Sequence, residues 1–293
     1  IAGAFLGAMF GVFAALLMEF LDPYIRTRHE ASDLGGVELV GEIEQASGEA
    51  DPLIDPQRPT APAGLPYRRF VNDLDSTLQP DEWQSLAILS CEEASGRSLA
   101  ATNLALTLAL KERPVVLVDA DLRNTSGRRP DDYLQMDIPA GHGGLAAMLS
   151  EKSTSLPPPV RQCGIDLLPA GHTEAEALAH ALGSTRMTNL VERLKQATGN
   201  VLYDLPPVDS QETVLEAAAA IGNALLVIRS GHTRRQDLKK VVQRLQARGI
   251  NLRGLLLTDV PVRDLSTSSA YAHPTANRPW WKFGSRGENE RLA

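Results

Sequence analysis

Residues 86–123 constrain the fold more than any other part of the chain. An apolar run, Leu86-Ala-Ile-Leu-Ser90, leads into a short loop, Cys91-Glu-Glu-Ala-Ser-Gly96, and then into a helical pattern that starts at Arg97-Ser98. A second apolar run, Val115-Val-Leu-Val, ends in Asp119-Ala-Asp121. Strand, tight loop, helix and second strand in that order make a βαβ unit, which implies a parallel sheet. The loop has the layout of a phosphate-binding loop, in which backbone N–H groups at a helix N-terminus converge on an anion. Taken alone, the loop also reads as a surface turn between strand and helix.

The same alternation continues downstream. Apolar runs at 165–168, 201–204, 224–228 and 254–258 read as strands. Helical periodicity covers 98–110, 185–197, 213–221 and 234–248. Strands alternating with helices predict an α/β doubly wound parallel sheet of the P-loop NTPase type. Ligands in such folds sit at the carboxyl ends of the strands. Ser90, Asp119 and Asp204 all fall at such ends.

Charge and cysteine usage narrow the class. A net charge of −7 over 293 residues argues against a nucleic-acid partner. Cys91 and Cys163 form no spaced metal motif, and a reducing compartment fits them. Residues 1–18 carry no charge, and Glu19 is the first. That length approaches the roughly 20 residues that span a bilayer. Residues 1–21 are therefore expected to form a transmembrane helix, with a buried core helix or a signal-peptide core as alternatives; no basic leader supports the last. Gly3, Gly7 and Gly11 place a small-residue stripe on one face of that helix. The chain opens at Ile1 and is expected to be a fragment or a processed form. Arg26 and Arg28 follow the apolar run, so the rest of the chain is expected in the cytoplasm.

Residues 22–66 read as a connector and a Pro-rich linker, with Pro52, Pro56, Pro59, Pro62 and Pro66. A folded domain is expected at 67–261 and a flexible tail at 262–293.

Three groups of residues carry the chemistry. Gly96 lets the loop backbone curl around phosphate, and a hydroxyl at Ser98 suits Mg²⁺. Arg97 stands where a phosphate-binding lysine is expected; it keeps the charge but not the compact ammonium. Cys91 and Ala94 put side chains where glycine would serve, and Glu92 and Glu93 bring negative charge towards the phosphates. Asp119 and Asp121 can hold metal-bound water or accept a proton. Asp204, before Leu-Pro-Pro207, has the layout of a Walker B acid. Each aspartate could instead cap the turn that follows its strand.

These motifs resemble the bacterial tyrosine kinases that pair with polysaccharide co-polymerases of the chain-length-determinant type. In that family a loop of the form Pro-Gly-x-Gly-Lys-Ser is followed by Asp-x-Asp-Leu-Arg and then Asp-x-Pro-Pro. The matching stretches here are Ala94-Ser-Gly-Arg-Ser98, Asp119-Ala-Asp-Leu-Arg123 and Asp204-Leu-Pro-Pro207. The resemblance extends to Gly144-Leu145, Leu168-Pro-Ala-Gly171, Leu255-Leu-Leu-Thr258, Leu21-Asp-Pro-Tyr-Ile-Arg26 and Leu39-Val-Gly-Glu-Ile43.

The resemblance implies ATP and Mg²⁺ as cofactors. Ala94, Ser95, Gly96, Arg97 and Ser98 would bind the nucleotide, and Ser98, Asp119 and Asp204 the metal. Asp119, Asp121 and Arg97 would serve catalysis. It further implies a homo-oligomeric ring at the inner membrane, in contact with membrane lipid and with polysaccharide polymerase and export machinery. The family's ring-forming Glu-x-x-Arg-x-x-Arg falls on Leu65, Arg68 and Val71, where only Arg68 keeps its charge. The tail offers a single acceptor, Tyr271. The expected function is therefore a membrane-anchored, kinase-like regulator of exopolysaccharide chain length or assembly with weak or lost tyrosine kinase activity. An active tyrosine autokinase and a positioning ATPase of the MinD type are the alternatives.

Overall fold

The computed structural model describes residue 3 and residues 7–13, 22–45, 53–56, 64–79, 82–122, 128–150, 158–171, 181–208 and 212–265. Helix α1 (Arg28–Gly35) precedes strand β1 (Leu39–Glu44) and helix α2 (Leu65–Thr77). The βαβ unit follows as β2 (Ser85–Ser90), α3 (Arg97–Leu110) and β3 (Val115–Asp119). Two short helices, α4 (Pro130–Leu134) and α5 (Gly144–Leu149), lead to β4 (Val160–Gln162) and β5 (Ile165–Leu168). The chain then alternates through α6 (Thr185–Ala197), β6 (Asn200–Asp204), α7 (Glu212–Ile221), β7 (Asn223–Arg229), α8 (Arg235–Ala247) and β8 (Asn251–Val260).

The strands form one sheet in the order β1-β8-β7-β2-β6-β3-β5-β4. Its neighbours pair in parallel, except that β4 runs antiparallel to β5 at the edge. Period-two alternation splits each strand between two cores. Leu86, Ile88, Leu117, Leu202 and Val227 pack with α2 and α3 on one face. Ala87, Leu89, Val118, Tyr203 and Ile228 pack with α6, α7 and α8 on the other. Burial on both faces explains why the central strands read as continuous apolar runs. β2 lies between β6 and β7, so the carboxyl ends of β2, β6 and β3 sit side by side.

Two parts of the sequence reading are revised. Within the 22–66 connector, β1 pairs with β8, and Ile25, Ala31 and Leu39 are buried in the core. The folded unit therefore begins well upstream of residue 67. Gly41 explains the fit: a Cβ there would lie 2.6 Å from the Pro66 Cβ and 3.1 Å from Leu256. Second, Val71 is fully buried against α3 and the sheet, and so is Phe70. Its apolar character suits that core position. The outward row of α2 carries Arg69, Asn72 and Asp73.

Among the described residues no helix is long and apolar enough to cross a membrane. Residues 7–13 are helical and exposed, and most of 1–21 lies outside the described residues. Tyr271 and the Trp280-Trp281 pair also lie outside them.

The Gly144 and Gly171 motifs meet in space. Leu145 and Ala146 N–H donate to the carbonyls of Pro169 and Ala170, at 2.8 and 2.9 Å. Gly144 has φ 56°, and a Cβ there would stand 2.3 Å from the Pro169 oxygen. Gly144→Ala is expected to destabilise the domain by about 3 kcal/mol, because backbone must move as well as strain. Gly249 has φ 69° with open space around it; Gly249→Ala should cost only the left-handed penalty, about 1–2 kcal/mol. Urea midpoints of the two variants check the difference, and equal losses would contradict it.

Candidate functional site

The loop after β2 is shaped as a phosphate cradle. Gly96 caps α3 in the left-handed region at φ 81°. The first N–H groups of a helix have no intrahelical acceptor and point out of its N-terminus. Ala94 holds φ 54°, a conformation that glycine adopts freely and alanine does not. The sheet pins this loop from behind: the Thr258 hydroxyl donates to the Ser95 carbonyl at 2.7 Å, and the Ser90 hydroxyl to the Glu92 carbonyl at 2.8 Å. Cys91 is buried at the loop's start, where burial, Glu92 and Asp237 raise its thiol well above the usual range. The thiol therefore stays protonated and unreactive.

Glu92 is tied to the turn after β7. Its carboxylate accepts a short hydrogen bond from the Thr233 hydroxyl, and burial raises its pKa. Its carboxyl group is thus held on that turn. Glu93 is exposed.

Arg97 decides the electrostatics. The sequence reading places its side chain at the outer phosphates; the structure turns it inward. Nε donates to Asp204 Oδ1 at 2.6 Å and Nη2 to Asp121 Oδ2 at 2.6 Å. Nη1 lies 3.3 Å from the Ser90 hydroxyl. The fork thereby joins the carboxyl ends of β6, β3 and β2. Only 8% of the Arg97 side chain and none of Asp204 is exposed. Burial works against the Arg97 charge, but Asp204 and Asp121 outweigh it and raise the pKa further. Removing one partner of such a pair strands a buried charge and typically costs about 3–5 kcal/mol.

Asp119 sits behind this cluster. Asp121 N–H donates to its Oδ1 at 3.2 Å, while Oδ2 is buried without a hydrogen-bond partner; Arg129 Nη1 stands 3.9 Å away. Burial, then the charge of Asp204, pushes the Asp119 pKa up to about 8, with Arg129 opposing. Burial also raises Asp204, against the pull of Arg97 and the Ser98 hydroxyl.

The expected residues Ala94, Ser95, Gly96, Arg97, Ser98, Asp119, Asp121 and Asp204 thus converge on one place. Arg97 departs from the expectation, because it faces Asp204 and Asp121. Mg²⁺ needs near-octahedral oxygen ligands. At a phosphate loop it takes only one or two carboxylates, with water, a hydroxyl and phosphate supplying the rest, so the charge beside those carboxylates decides the fit. The inner oxygens of Asp204 and Asp121 are already bonded to Arg97. Asp119 Oδ2 and Asp204 Oδ2 are buried without a hydrogen-bond partner, but with the guanidinium charge already beside it the cluster as it stands does not fit a divalent cation. For ATP, the loop backbone keeps the cradle, but the cation meant for the outer phosphates faces inward.

Sequence reasoning missed Arg129 and Thr233. Neither lies in a motif, and only the tertiary fold brings them to Asp119 and Glu92. Thr258 stood in the Leu255-Leu-Leu-Thr258 stretch without a role, and its role is to hold the loop.

Fold and loop together define a P-loop type α/β domain with strand-end carboxylates. The chain is similar to bacterial tyrosine-protein kinases. It is 27% identical over 168 residues to tyrosine-protein kinase Ptk of Acinetobacter johnsonii, a match covering 56% of this chain and 22% of that protein. It is 24% identical over 222 residues to tyrosine-protein kinase Etk of Escherichia coli K12, covering 75% and 30% respectively. The match therefore spans less than a third of the length of either protein. The solved kinase domain of Escherichia coli Etk superposes with a TM-score of 0.65 at 20% identity, covering 78% of this chain and 91% of that domain. The chain thus has the fold of a bacterial tyrosine-kinase domain. No protein-family model matches it.

Asp119 yields a pH prediction. A carboxyl whose pKa is near 4 unfolded and about 8 folded binds more protons when folded. Stability is then fullest at low pH and falls as pH rises through that window, by up to about 1.4 kcal/mol per unit. Asp119→Asn should remove this slope and stabilise the domain at pH 8 relative to pH 5. Denaturant midpoints across pH 5–9 test it; an unchanged slope in the variant would place Asp119 in the ordinary carboxylate range.

Proposed function

We propose that this chain is the kinase-like part of a membrane-anchored component of exopolysaccharide assembly, with tyrosine phosphotransfer weak or lost. It acts through its oligomeric state and its contacts with polymerase and export machinery. The observation that carries the reading is the inward Arg97, bonded to Asp204 and Asp121. Phosphoryl transfer depends almost wholly on positioning and on charge held at the phosphates. A cation committed to buried carboxylates supplies neither. Alanine at the strained loop position 94 points the same way. Similarity to Ptk and Etk supports the kinase ancestry.

Residues 1–21 are proposed as the anchor, on their uncharged composition and length. The folded domain, which begins at 22–44, would then lie directly beneath the bilayer. An active autokinase is the rival reading, and the retained Asp119, Asp121 and Asp204 favour it.

The purified chain with Mg-ATP is expected to form no phosphotyrosine, and the double variant Ala94→Gly/Arg97→Lys to form it. Immunoblotting for phosphotyrosine reads the result. A robust signal from the unaltered chain that disappears in Tyr271→Phe would overturn the proposal in favour of the autokinase.

A further inference from the structure

We propose that Arg97 is the resident cation of this site and takes the place of the divalent metal, so that the domain is metal-independent. The inference rests on reading the site as a diverged nucleotide site, and deepens it. Three strand ends converge there. Asp204 closes β6, Asp121 follows β3 and Ser90 closes β2. A divalent metal here would be held by oxygens such as those of Ser98 and Asp204 and would supply positive charge beside the strand-end carboxylates. The guanidinium supplies that charge from within the fold. Each of its three nitrogens faces a different strand end: Asp204 at 2.6 Å, Asp121 at 2.6 Å and Ser90 at 3.3 Å.

The planar fork suits this task, since it donates in fixed directions to several acceptors at once, as an ammonium cannot. The cation is also covalently attached and buried, so it cannot be exchanged or chelated away. A divalent ion would have to enter against the Arg97 charge and break two charge-assisted bonds. Asp204 and Asp121 are thereby partners of Arg97 in a structural ion cluster.

Binding of Mn²⁺ alone tests this, read from the loss of the free-ion electron paramagnetic resonance signal. The unaltered chain is expected to show no saturable Mn²⁺ binding, and its melting temperature to be unchanged by EDTA. Arg97→Gln, which removes the guanidinium from Asp204 and Asp121, is expected to gain one saturable site, and Asp204→Asn added to it should abolish that site. Should Arg97→Gln fail to fold, Arg97→Met serves instead, since it keeps a side chain of similar length without the charge and should likewise unmask Mn²⁺ binding. Saturable binding by the unaltered chain that Asp204→Asn removes would overturn the inference, as would a folded Arg97→Gln or Arg97→Met that binds no Mn²⁺. Phosphotyrosine formation is read separately. Mn²⁺ binding without phosphotransfer defeats only the metal-independence, whereas phosphotransfer without Mn²⁺ binding defeats only the loss of activity.

Discussion

Asp204 is fully buried at the end of a central strand, and a carboxylate there must have a counter-charge. Much of the site follows from how that need is met. The sheet order puts β6 between β2 and β3, so any cation serving Asp204 also meets Ser90 and Asp121. Arg97 opens α3 just past the loop, within reach of all three. One side chain thus holds the loop, the helix N-terminus and three strands together. Asp119, beside this cluster, meets only the more distant Arg129, at 3.9 Å, and its carboxyl is held well above the usual range.

The same interaction separates shape from chemistry. The loop still has the left-handed Gly96 and the pinned backbone of a phosphate cradle. Its charge has been redirected inward. Lysine and arginine at such a position carry equal charge, yet reach and geometry decide whether that charge serves a ligand or the fold. Ala94 adds to this, because a non-glycine residue at φ 54° is tolerated where the loop serves the fold.

Sequence alone exposed the central sheet because burial on both faces writes strands as plain apolar runs. The helix at 185–197 and the strands at 115–119 and 165–168 carry the same bounds in sequence and structure. β1 was harder to see: Leu39-Val-Gly-Glu-Ile-Glu contains a glycine and two acids, and only the close approach of Pro66 and Leu256 explains that glycine. Strand β4 has three half-exposed or exposed residues at an edge and carries little pattern. The site residues were legible from motif spacing. The direction of Arg97 was not, because a local motif does not reveal which distant carboxylates a long side chain will meet. Val71 shows the same limit in reverse: matched to an interface by spacing, it belongs to the core.

The most direct test is the Arg97 side chain itself, observed by nitrogen-15 NMR of arginine Nε–H groups at neutral pH. An Nε–H bonded to a buried carboxylate should give a resolved, slowly exchanging resonance, lost in Asp204→Asn and unmoved by Mg-ATP. An Arg97 Nε–H that exchanges as fast as those of surface arginines, or that shifts when Mg-ATP is added, would contradict the account.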